Sequence, residues 1–266
     1  MILLDGCRID ALREVAPEYG FINEVEAMTS LGSTSREWVF QTFRTEHRKQ
    51  IQQTAYVSGN AAMKAIFEEG YQGLHNEYRP CGDWDIITAH DFGLIDNVWE
   101  YAPEHKFGGA PTADCITDRA IAVGREHDGK LIAHYMQPHS PYFGNAFERG
   151  EMYDWEHYPF KALRAGEIDQ ETAWNAYLDN LRYVLDSVET LLNNLNADRV
   201  AISADHGELF GEFFSLGHVG GIPHPNLKRV PWAVTSASDE ETYQPEIEPQ
   251  GVERGHKDIL NDLGYL

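Results

Sequence analysis

An adjacent aspartate and histidine, Asp205 and His206, follow an apolar stretch in the segment AISADHGELFGE. The apolar stretch is typical of a buried strand, and the glycine after the pair lets the chain turn sharply. A carboxylate oxygen and an imidazole nitrogen together suit zinc or manganese, whereas calcium accepts histidine poorly. The pair therefore indicates a metal site, with an aspartate that caps a turn beside a packed histidine as the alternative.

A second aspartate, Asp5, ends the apolar run MILLD at the start of the chain. Arg8 and Asp10 follow it on a turn and the start of a helix. Capping by Asp10 and an ordinary Arg8–Asp10 ion pair would also explain these residues. Taken alone, this segment is weak evidence for a metal ligand, and it supports a site only in combination with the other segments.

Two histidine-containing loops could bind an anion. In HYMQPHSPY, His134 and His139 flank a proline that stiffens the loop after an apolar strand. In GHVGGIPHPNLKRVPW, His218 is followed by Lys228 and a neighbouring arginine, whose positive charges are notable in an acidic chain. Such side chains can donate hydrogen bonds to a tetrahedral anion, and the histidines can also bind a metal.

Strand-like and helical segments alternate along the chain, which predicts a mainly parallel sheet with helices on both faces, a three-layer α/β/α fold. Sites in such sheets form at the carboxyl ends of the strands, where Asp5, Asp205 and the loop after Gln137 all fall. The predicted strands are 1–5, 20–28, 54–60, 84–88, 130–137, 199–205 and 230–237. The predicted helices include 10–16, 38–43, 61–70, 112–126, 171–195 and a final one within 256–266.

We expect residues 1–266 to form one catalytic domain. Residues 141–170 are aromatic and weakly periodic, and we interpret them as an excursion over one edge of the sheet. Residues 238–266 are expected to be a C-terminal helix and tail. Substrate specificity is expected to lie in 71–112 and 141–170.

Acidic residues dominate the charge: 43 Asp and Glu against 21 Lys and Arg give a formal net charge of −22. Such a surface repels nucleic acid and anionic membranes, so we expect neither as a partner. Acid dispersed along a lysine-poor chain indicates adaptation to high salt, where self-repulsion is screened, as in a halophilic archaeon.

Two patterns bear on location and redox chemistry. The chain has no apolar run of about 18 residues, and its N-terminus shows no signal-peptide pattern, so we expect a cytoplasmic protein without stable membrane insertion. The cysteines, Cys7, Cys81 and Cys115, are odd in number and lack a CxxC spacing, which favours reduced, buried thiols. Oligomeric state cannot be read from the sequence.

Together these segments resemble the sulfatase-like branch of the alkaline phosphatase superfamily. That family has an aspartate after the first strand, then a nucleophile, a PHxPY-type loop, a late strand ending in Asp-His-Gly, and a Gly-His loop before a VPW-type strand. Here the same order is Asp5, the hydroxyls of GSTSREW, QPHSPY, SADHGE, and GHVGG with RVPW. The resemblance covers residues 1 to about 237.

The resemblance implies a hydrolase or transferase of phosphate or sulfate esters that binds one divalent metal ion: manganese, zinc, calcium or magnesium. The substrate would be a small-molecule, glycan-linked or lipid-linked anionic ester. The implied metal ligands are Asp5, Thr34, Asp205 and His206. The implied contacts to the ester are His134, His139, His218, Lys228 and Arg36, with His139 and His218 also acting in catalysis.

The nucleophile is expected in GSTSREW, where Ser33, Thr34 and Ser35 are all candidates. We favour Thr34, because family members with an unmodified threonine place it just before a small polar residue and the helix. A helix N-terminus also stabilises an oxyanion. Ser33 is second, and helix capping is the alternative role of any of the three.

Two departures from the family pattern shape the expected activity. The segment lacks the C/S-x-P/A-x-R motif that family sulfatases oxidise to formylglycine, so phosphoester chemistry is favoured. Gly6 also replaces the second of the paired aspartates found in many members, unless Asp10 compensates. A sulfatase with an unmodified nucleophile, and a non-catalytic member that only binds an anion or a partner, remain as alternatives.

Overall fold

The computed structural model describes residues 1–67 and 85–249, and its centre is a seven-stranded sheet in the order β2-β9-β6-β1-β5-β3-β4. β9 runs antiparallel to both of its neighbours, and all other pairs are parallel. The mainly parallel sheet predicted from the sequence is confirmed. The strands are β1 (Ile2–Leu4), β2 (Glu26–Thr29), β3 (Thr54–Ser58), β4 (Leu94–Asn97), β5 (Lys130–Tyr135), β6 (Ala197–Ser203), β7 (Leu209–Phe210), β8 (Leu216–Gly217) and β9 (Arg229–Ala237), of which β7 and β8 form a separate hairpin.

Helices cover both faces of this sheet. The α-helices are α1 (Ile9–Val15), α2 (Ser35–Thr42), α3 (Arg48–Ile51), α4 (Ala62–Phe67), α5 (Ala113–Glu126), α6 (Gly144–Arg149), α7 (Asp154–His157), α8 (Pro159–Ala165), α9 (Gln170–Leu192) and α10 (Pro225–Lys228). Side chains of β1 alternate between two cores: Ile2 and Leu4 pack with α1, α5 and α9, whereas Leu3 packs with α2 and α4. This alternation follows from the two-residue period of a strand and produces the three layers.

The long helix α9 shows how the sequence specifies its own element. Its N-cap Asp169 accepts a hydrogen bond from the amide of Thr172, which satisfies one of the free donors at the helix start. Its apolar stripe, including Tyr177, Leu181 and Val188, is fully buried against the sheet. α9 thereby becomes a rigid support beneath the loops of the carboxyl edge.

Two strand predictions need correction. The strand predicted at 20–28 is β2, which begins only at Glu26, because its partner β9 pairs with Glu26–Thr29 and leaves the earlier residues unpaired. In the described part of the strand predicted at 84–88, Ile86 forms only an isolated bridge with Arg44. The strand of this region is instead β4, an edge strand that pairs with β3.

Several predicted segments lie partly or wholly outside the described residues. The helix predicted at 61–70 is described as far as Phe67, and neither Cys81 nor the helix within 256–266 is described. Residues 141–170 contain the three short helices α6, α7 and α8. Over 1–67 and 85–249, no helix has the length and apolarity needed to cross a bilayer.

Candidate metal centre

Asp5 and Asp205 lie side by side at the carboxyl edge of the sheet. β1 and β6 are adjacent and parallel, and Leu3 pairs with Ser203, so each aspartate comes two residues after a paired position. The amide of Gly6 donates to Asp205 Oδ1 at 3.2 Å and ties the two strand ends together. Both carboxylates are completely buried.

One oxygen of each aspartate has no hydrogen-bond partner among the described residues. These atoms are Asp5 Oδ1 and Asp205 Oδ2, and His134 Nε2 is a third buried polar atom in the same condition. Ligand atoms of Asp5, His134 and Asp205 all lie within 4.8 Å of one another. A buried carboxylate oxygen without a partner is costly unless a cation compensates it. The residues therefore fit a divalent metal ion.

His206 completes this group with its tautomer fixed. Its Nδ1 lies 2.7 Å from the carbonyl oxygen of Gly207, so Nδ1 carries the proton and Nε2 keeps its lone pair. Nε2 lies 3.5 Å from Asp5 Oδ1 and 3.6 Å from Asp205 Oδ2. This nitrogen faces the same point as the two free carboxylate oxygens, as a metal ligand would.

His134 lies deeper, on the α2 side of the sheet. Its Nδ1 is 2.7 Å from the hydroxyl of Tyr56, and its Nε2 is 3.6 Å from Asp5 Oδ2. Burial by itself raises the pKa of Asp5, but His134 and His206 outweigh it and hold that pKa well below its usual range. Asp5 is therefore ionised and ready to bind a cation.

The hydroxyl that reaches this group belongs to Ser35. Its Oγ donates to Asp5 Oδ2 at 3.3 Å and lies 3.2 Å from His206 Nε2. Asn60 supports both residues, since its Nδ2 donates to Asp5 Oδ2 at 2.6 Å and lies 3.3 Å from Ser35 Oγ. Ser35 is the first residue of α2, where the free amides of the helix favour an oxyanion.

The favoured nucleophile, Thr34, is not brought to the centre. Its Oγ1 accepts a hydrogen bond from the amide of Glu37 and caps α2. Ser33 is also engaged elsewhere, because its hydroxyl lies 2.7 Å from Glu37 Oε2 and 3.1 Å from the carbonyl oxygen of Val219, and its single proton is shared between these two acceptors. The geometry therefore favours Ser35, the third of the candidate hydroxyls.

A second group of possible ligands lies against the first. His139, Glu208 and His218 have ligand atoms within 4.8 Å of one another, and the His218 ring centroid is 4.5 Å from that of His206. His218 Nδ1 lies 3.1 Å from Glu208 Oε1. Burial alone would lower the pKa of His218, but the negative charge of Glu208 raises it to about 9. As described, this group offers a cationic imidazole to an anion, or three ligands to a second cation.

The remaining predicted contacts are less central. Lys228 Nζ donates to the carbonyl oxygen of Leu31 at 2.6 Å, and burial lowers the pKa of the lysine. Arg36 is half-buried in the first turn of α2, next to Ser35. Asp10 cannot compensate for a missing carboxylate, because both of its oxygens bond to the guanidinium of Arg8.

Gly6 has a structural reason to replace an aspartate. Its φ is +66°, a conformation that glycine adopts freely and that most residues with a side chain avoid, and a Cβ here would lie 3.4 Å from Glu208 Oε2. Sequence reasoning missed both Glu208 and Asn60. The sequence did contain an indication of each residue, since Glu208 follows Asp-His-Gly directly and Asn60 lies just beyond the carboxyl end of β3.

Comparison with known proteins gives a match at the level of structure only. No family model and no curated protein sequence matches the chain. The integral membrane protein lipooligosaccharide phosphoethanolamine transferase A (EptA) from Neisseria meningitidis matches with a TM-score of 0.61 and 14% identity over 91% of this chain. That alignment covers 48% of the transferase, so the chain spans about half of its length.

Two soluble transferase domains match in the same way. The soluble domain of the Neisseria meningitidis enzyme gives a TM-score of 0.59 at 12% identity, covering 90% of this chain and 76% of that domain. The C-terminal periplasmic domain of EptC from Escherichia coli, in complex with zinc, gives 0.52 at 10% identity, covering 90% of this chain and 72% of that domain. Such low identities show the fold alone, and that fold is the one predicted: a three-layer α/β/α domain with a mainly parallel sheet.

Proposed function

We propose that this protein is a metal-dependent transferase or hydrolase of phosphate esters, with Ser35 as its nucleophile. The observation that carries the proposal is the convergence of Asp5 Oδ1 and Asp205 Oδ2 beside the Ser35 hydroxyl; both oxygens are buried, and neither has a hydrogen bond within residues 1–67 and 85–249. A structural role would require each buried oxygen to be paired within the protein. Here the carboxylates are arranged for a cation and the hydroxyl for attack.

Asp5, Asp205, His206 and the oxygen of Ser35 would hold one divalent ion, with His134 as a further ligand. Such an ion lowers the pKa of a bound hydroxyl and neutralises charge on a phosphoryl oxygen. Two carboxylates with imidazole nitrogens favour zinc or manganese over calcium or magnesium. The structure of the Escherichia coli domain in complex with zinc is consistent with that choice.

Ser35 would act by in-line displacement. With its pKa lowered by the bound ion, the Ser35 hydroxyl gives its proton to solvent. Its Oγ then forms a bond to phosphorus while the bond from phosphorus to the ester oxygen breaks, and the departing oxygen takes a proton from His218, whose raised pKa keeps it protonated near neutral pH. Water or an acceptor hydroxyl then attacks phosphorus and gives its proton to the neutral His218, which restores the cation, while the bond from phosphorus to Ser35 Oγ breaks. His139 lies beside His218, with ring centroids 5.1 Å apart, and is placed to contact the phosphoryl oxygens.

Phosphate esters are favoured over sulfate esters for a reason in the sequence. With Ser35 as nucleophile, the segment reads S-R-E-W-V, so Glu37 and Val39 occupy the places of proline or alanine and of arginine in the sulfatase motif. A sulfatase with an unmodified serine remains the alternative. The structural matches to phosphoethanolamine transferases support a lipid-linked or glycan-linked phosphoester as the substrate.

A substrate panel tests the proposal. The purified protein, in high salt and supplied in turn with zinc, manganese, calcium and magnesium, would be assayed with nitrophenyl phosphate, bis-nitrophenyl phosphate and nitrophenyl sulfate. We expect turnover of a phosphate ester with zinc or manganese and trapping of a phosphate on Ser35 by mass spectrometry. Faster turnover of the sulfate would favour the alternative, and no turnover with any metal would favour a non-catalytic anion-binding protein.

A further inference from the structure

A short hairpin connects two members of the His139–Glu208–His218 group. β7 begins directly after Glu208, and β8 ends directly before His218. The two strands pair through Leu209 with Gly217 and through Phe210 with Leu216. The turn at the end of this hairpin is therefore only a few residues from the candidate centre.

The hairpin turn presents two phenylalanines to solvent. Phe213 is 83% exposed and Phe214 is 106% exposed, more than any other large hydrophobic residue among those the structure describes. Their φ angles are +51° and +60°, in the left-handed region. That region strains a residue with a bulky side chain, and such outliers concentrate at functional segments. Two exposed aromatic rings on a strained backbone are thus unlike an ordinary polar turn.

The base of the hairpin fixes this exposure. Leu209 and Phe210 are buried, and Glu212 is held from below by the guanidinium of Arg8 at 2.6 Å and by Asn226 at 2.8 Å. The turn therefore cannot fold its rings inward without breaking a buried anchor. The rings are held outward by the hairpin itself.

The Phe213 ring lies 5.2 Å from the ring of His224, which is the N-cap of α10, and Lys228 is the last residue of that helix. Leu31 and Val219, which adjoin the Ser33–Ser35 segment and His218, are 48% and 45% exposed. Lys228 donates to the carbonyl oxygen of Leu31 and so places a positive charge beside them. We call Leu31, Phe213, Phe214, Val219 and Lys228 the rim surface.

Acidic residues are missing from the segment that supplies most of this surface. Residues 213–238 contain no Asp or Glu, although the whole chain has 43 in 266 residues, and they contain Lys228 and Arg229. Repulsion from anionic membranes, expected from the net charge, is therefore weaker along this segment, where the nearest carboxylates are Glu212, which Arg8 neutralises, and Glu37, which lies near Lys228. Exposed aromatic rings with neighbouring cations are the combination that binds a lipid surface.

We propose that the rim surface docks on a lipid bilayer with anionic headgroups. Phe213 and Phe214 enter the boundary between headgroups and acyl chains, while Lys228 and Arg229 face the headgroup phosphates. A second copy of the chain fits less well, because it would bring the same two cations against each other. Docking would present a lipid-borne phosphoester to Ser35, and that last consequence rests on the proposed function.

Vesicle binding tests the proposal directly. The full chain would be sedimented with vesicles of phosphatidylcholine alone or mixed with phosphatidylglycerol, in low and in high salt. We expect binding to the mixed vesicles that persists in high salt, where repulsion by the acidic remainder is screened. Phe213→Asn with Phe214→Asn should weaken binding about a hundredfold, about tenfold for each ring. Asparagine is chosen because it tolerates positive φ.

Three further variants sharpen the test. Leu94→Asn, at the start of the far edge strand β4, changes another exposed apolar residue and should leave binding unchanged. Lys228→Gln with Arg229→Gln should remove only the preference for phosphatidylglycerol. Ser35→Ala should bind vesicles like the wild type, so failure of the proposed catalysis leaves the docking result readable.

Three outcomes would contradict docking on a bilayer. Wild-type protein that does not sediment with either vesicle at any salt would overturn the proposal, as would equal binding by the double phenylalanine variant. A dimer detected by light scattering and dissociated by the same double variant would also overturn it, because the rim surface would then join two copies.

Discussion

Asn180 on α9 donates a hydrogen bond to the carbonyl oxygen of His139 at 3.1 Å. The same amide nitrogen contacts the carbonyl oxygens of Pro138 and Pro141, and Asn180 Oδ1 accepts from the amide of Phe143. A single buried side chain thus contacts four backbone groups of the loop that presents His139, and the amide of His139 adds a hydrogen bond to the carbonyl oxygen of Asp5. The long helix in this way helps to position the site.

Asn180→Asp should lower activity strongly, although the two side chains have nearly the same size. The variant keeps the acceptor for Phe143 but faces three carbonyl oxygens with a carboxylate, and buried unpaired groups cost about 1–3 kcal/mol each. We expect lower unfolding free energy and, since His139 shifts, a fall in kcat/KM of at least about tenfold. Asn175→Asp, at an exposed position of the same helix, is the matched control. Equal kinetics of the two variants would refute this role.

Replacement of the three candidate hydroxyls should separate catalysis from capping. Ser35→Ala should reduce turnover at least about a thousandfold, because it removes the nucleophile. Thr34→Ala should retain most of the turnover and lose about 1 kcal/mol of stability, the usual cost of a lost N-cap. The checks are steady-state kinetics and denaturant unfolding. If Thr34→Ala were inactive and Ser35→Ala active, the assignment would be reversed.

The order of the motifs could be read from the sequence, but the choice among adjacent hydroxyls could not. Ser33, Thr34 and Ser35 are chemically similar, and their roles depend on the residue at which α2 begins. Because Thr34 is the N-cap, its side chain turns back to the amide of Glu37, and Ser35 faces the sheet. Local propensity does not fix a helix start to within one residue.

Contacts between residues far apart in the chain, and the position of the edge strand, also could not be predicted from the sequence. Asn60 is 55 residues from Asp5, and only the parallel order of β1, β5 and β3 brings the two together. β4 reads LIDN, too short and polar to be distinguished from a loop. The sheet type could be predicted because buried parallel strands are strongly apolar. The positions of Asp5 and Asp205 at strand ends could be predicted because each follows such an apolar run directly.

Tyr177→Phe should loosen the turn that carries Asp5. The Tyr177 hydroxyl accepts from the amide of Arg8 at 2.9 Å and donates to the carbonyl oxygen of Gly6 at 2.8 Å. Its removal leaves two buried backbone groups unpaired, so we expect about 1–3 kcal/mol of destabilisation and weaker metal binding by calorimetry. Tyr19→Phe, which loses bonds to Arg182 and Asp186 remote from the site, should change stability but not metal affinity. Unchanged metal affinity in both variants would contradict the prediction.

The Arg8–Glu212 pair should make the hairpin sensitive to acid. Partial burial raises the pKa of Glu212, but the hydrogen bond from Arg8 outweighs it and the net pKa is lowered. A carboxyl whose folded pKa is depressed stabilises the fold above its unfolded pKa, about 4.3, and loses that contribution as pH falls through the folded value. Wild type should therefore exceed Glu212→Gln in stability at pH 7, and the difference should shrink below about pH 4. Denaturant unfolding at several pH values measures it, and a constant difference would speak against the pairing.

Metal content of aspartate variants tests the shared cation most directly. After loading with zinc or manganese and removal of free metal, elemental analysis of the wild type should give at least one ion per chain. Asp5→Asn and Asp205→Asn should each lose that ion, whereas Asp10→Asn, which removes only the partner of Arg8, should keep it. Metal-free wild-type protein, or full occupancy in Asp205→Asn, would show that the two buried carboxylates do not hold a common ion.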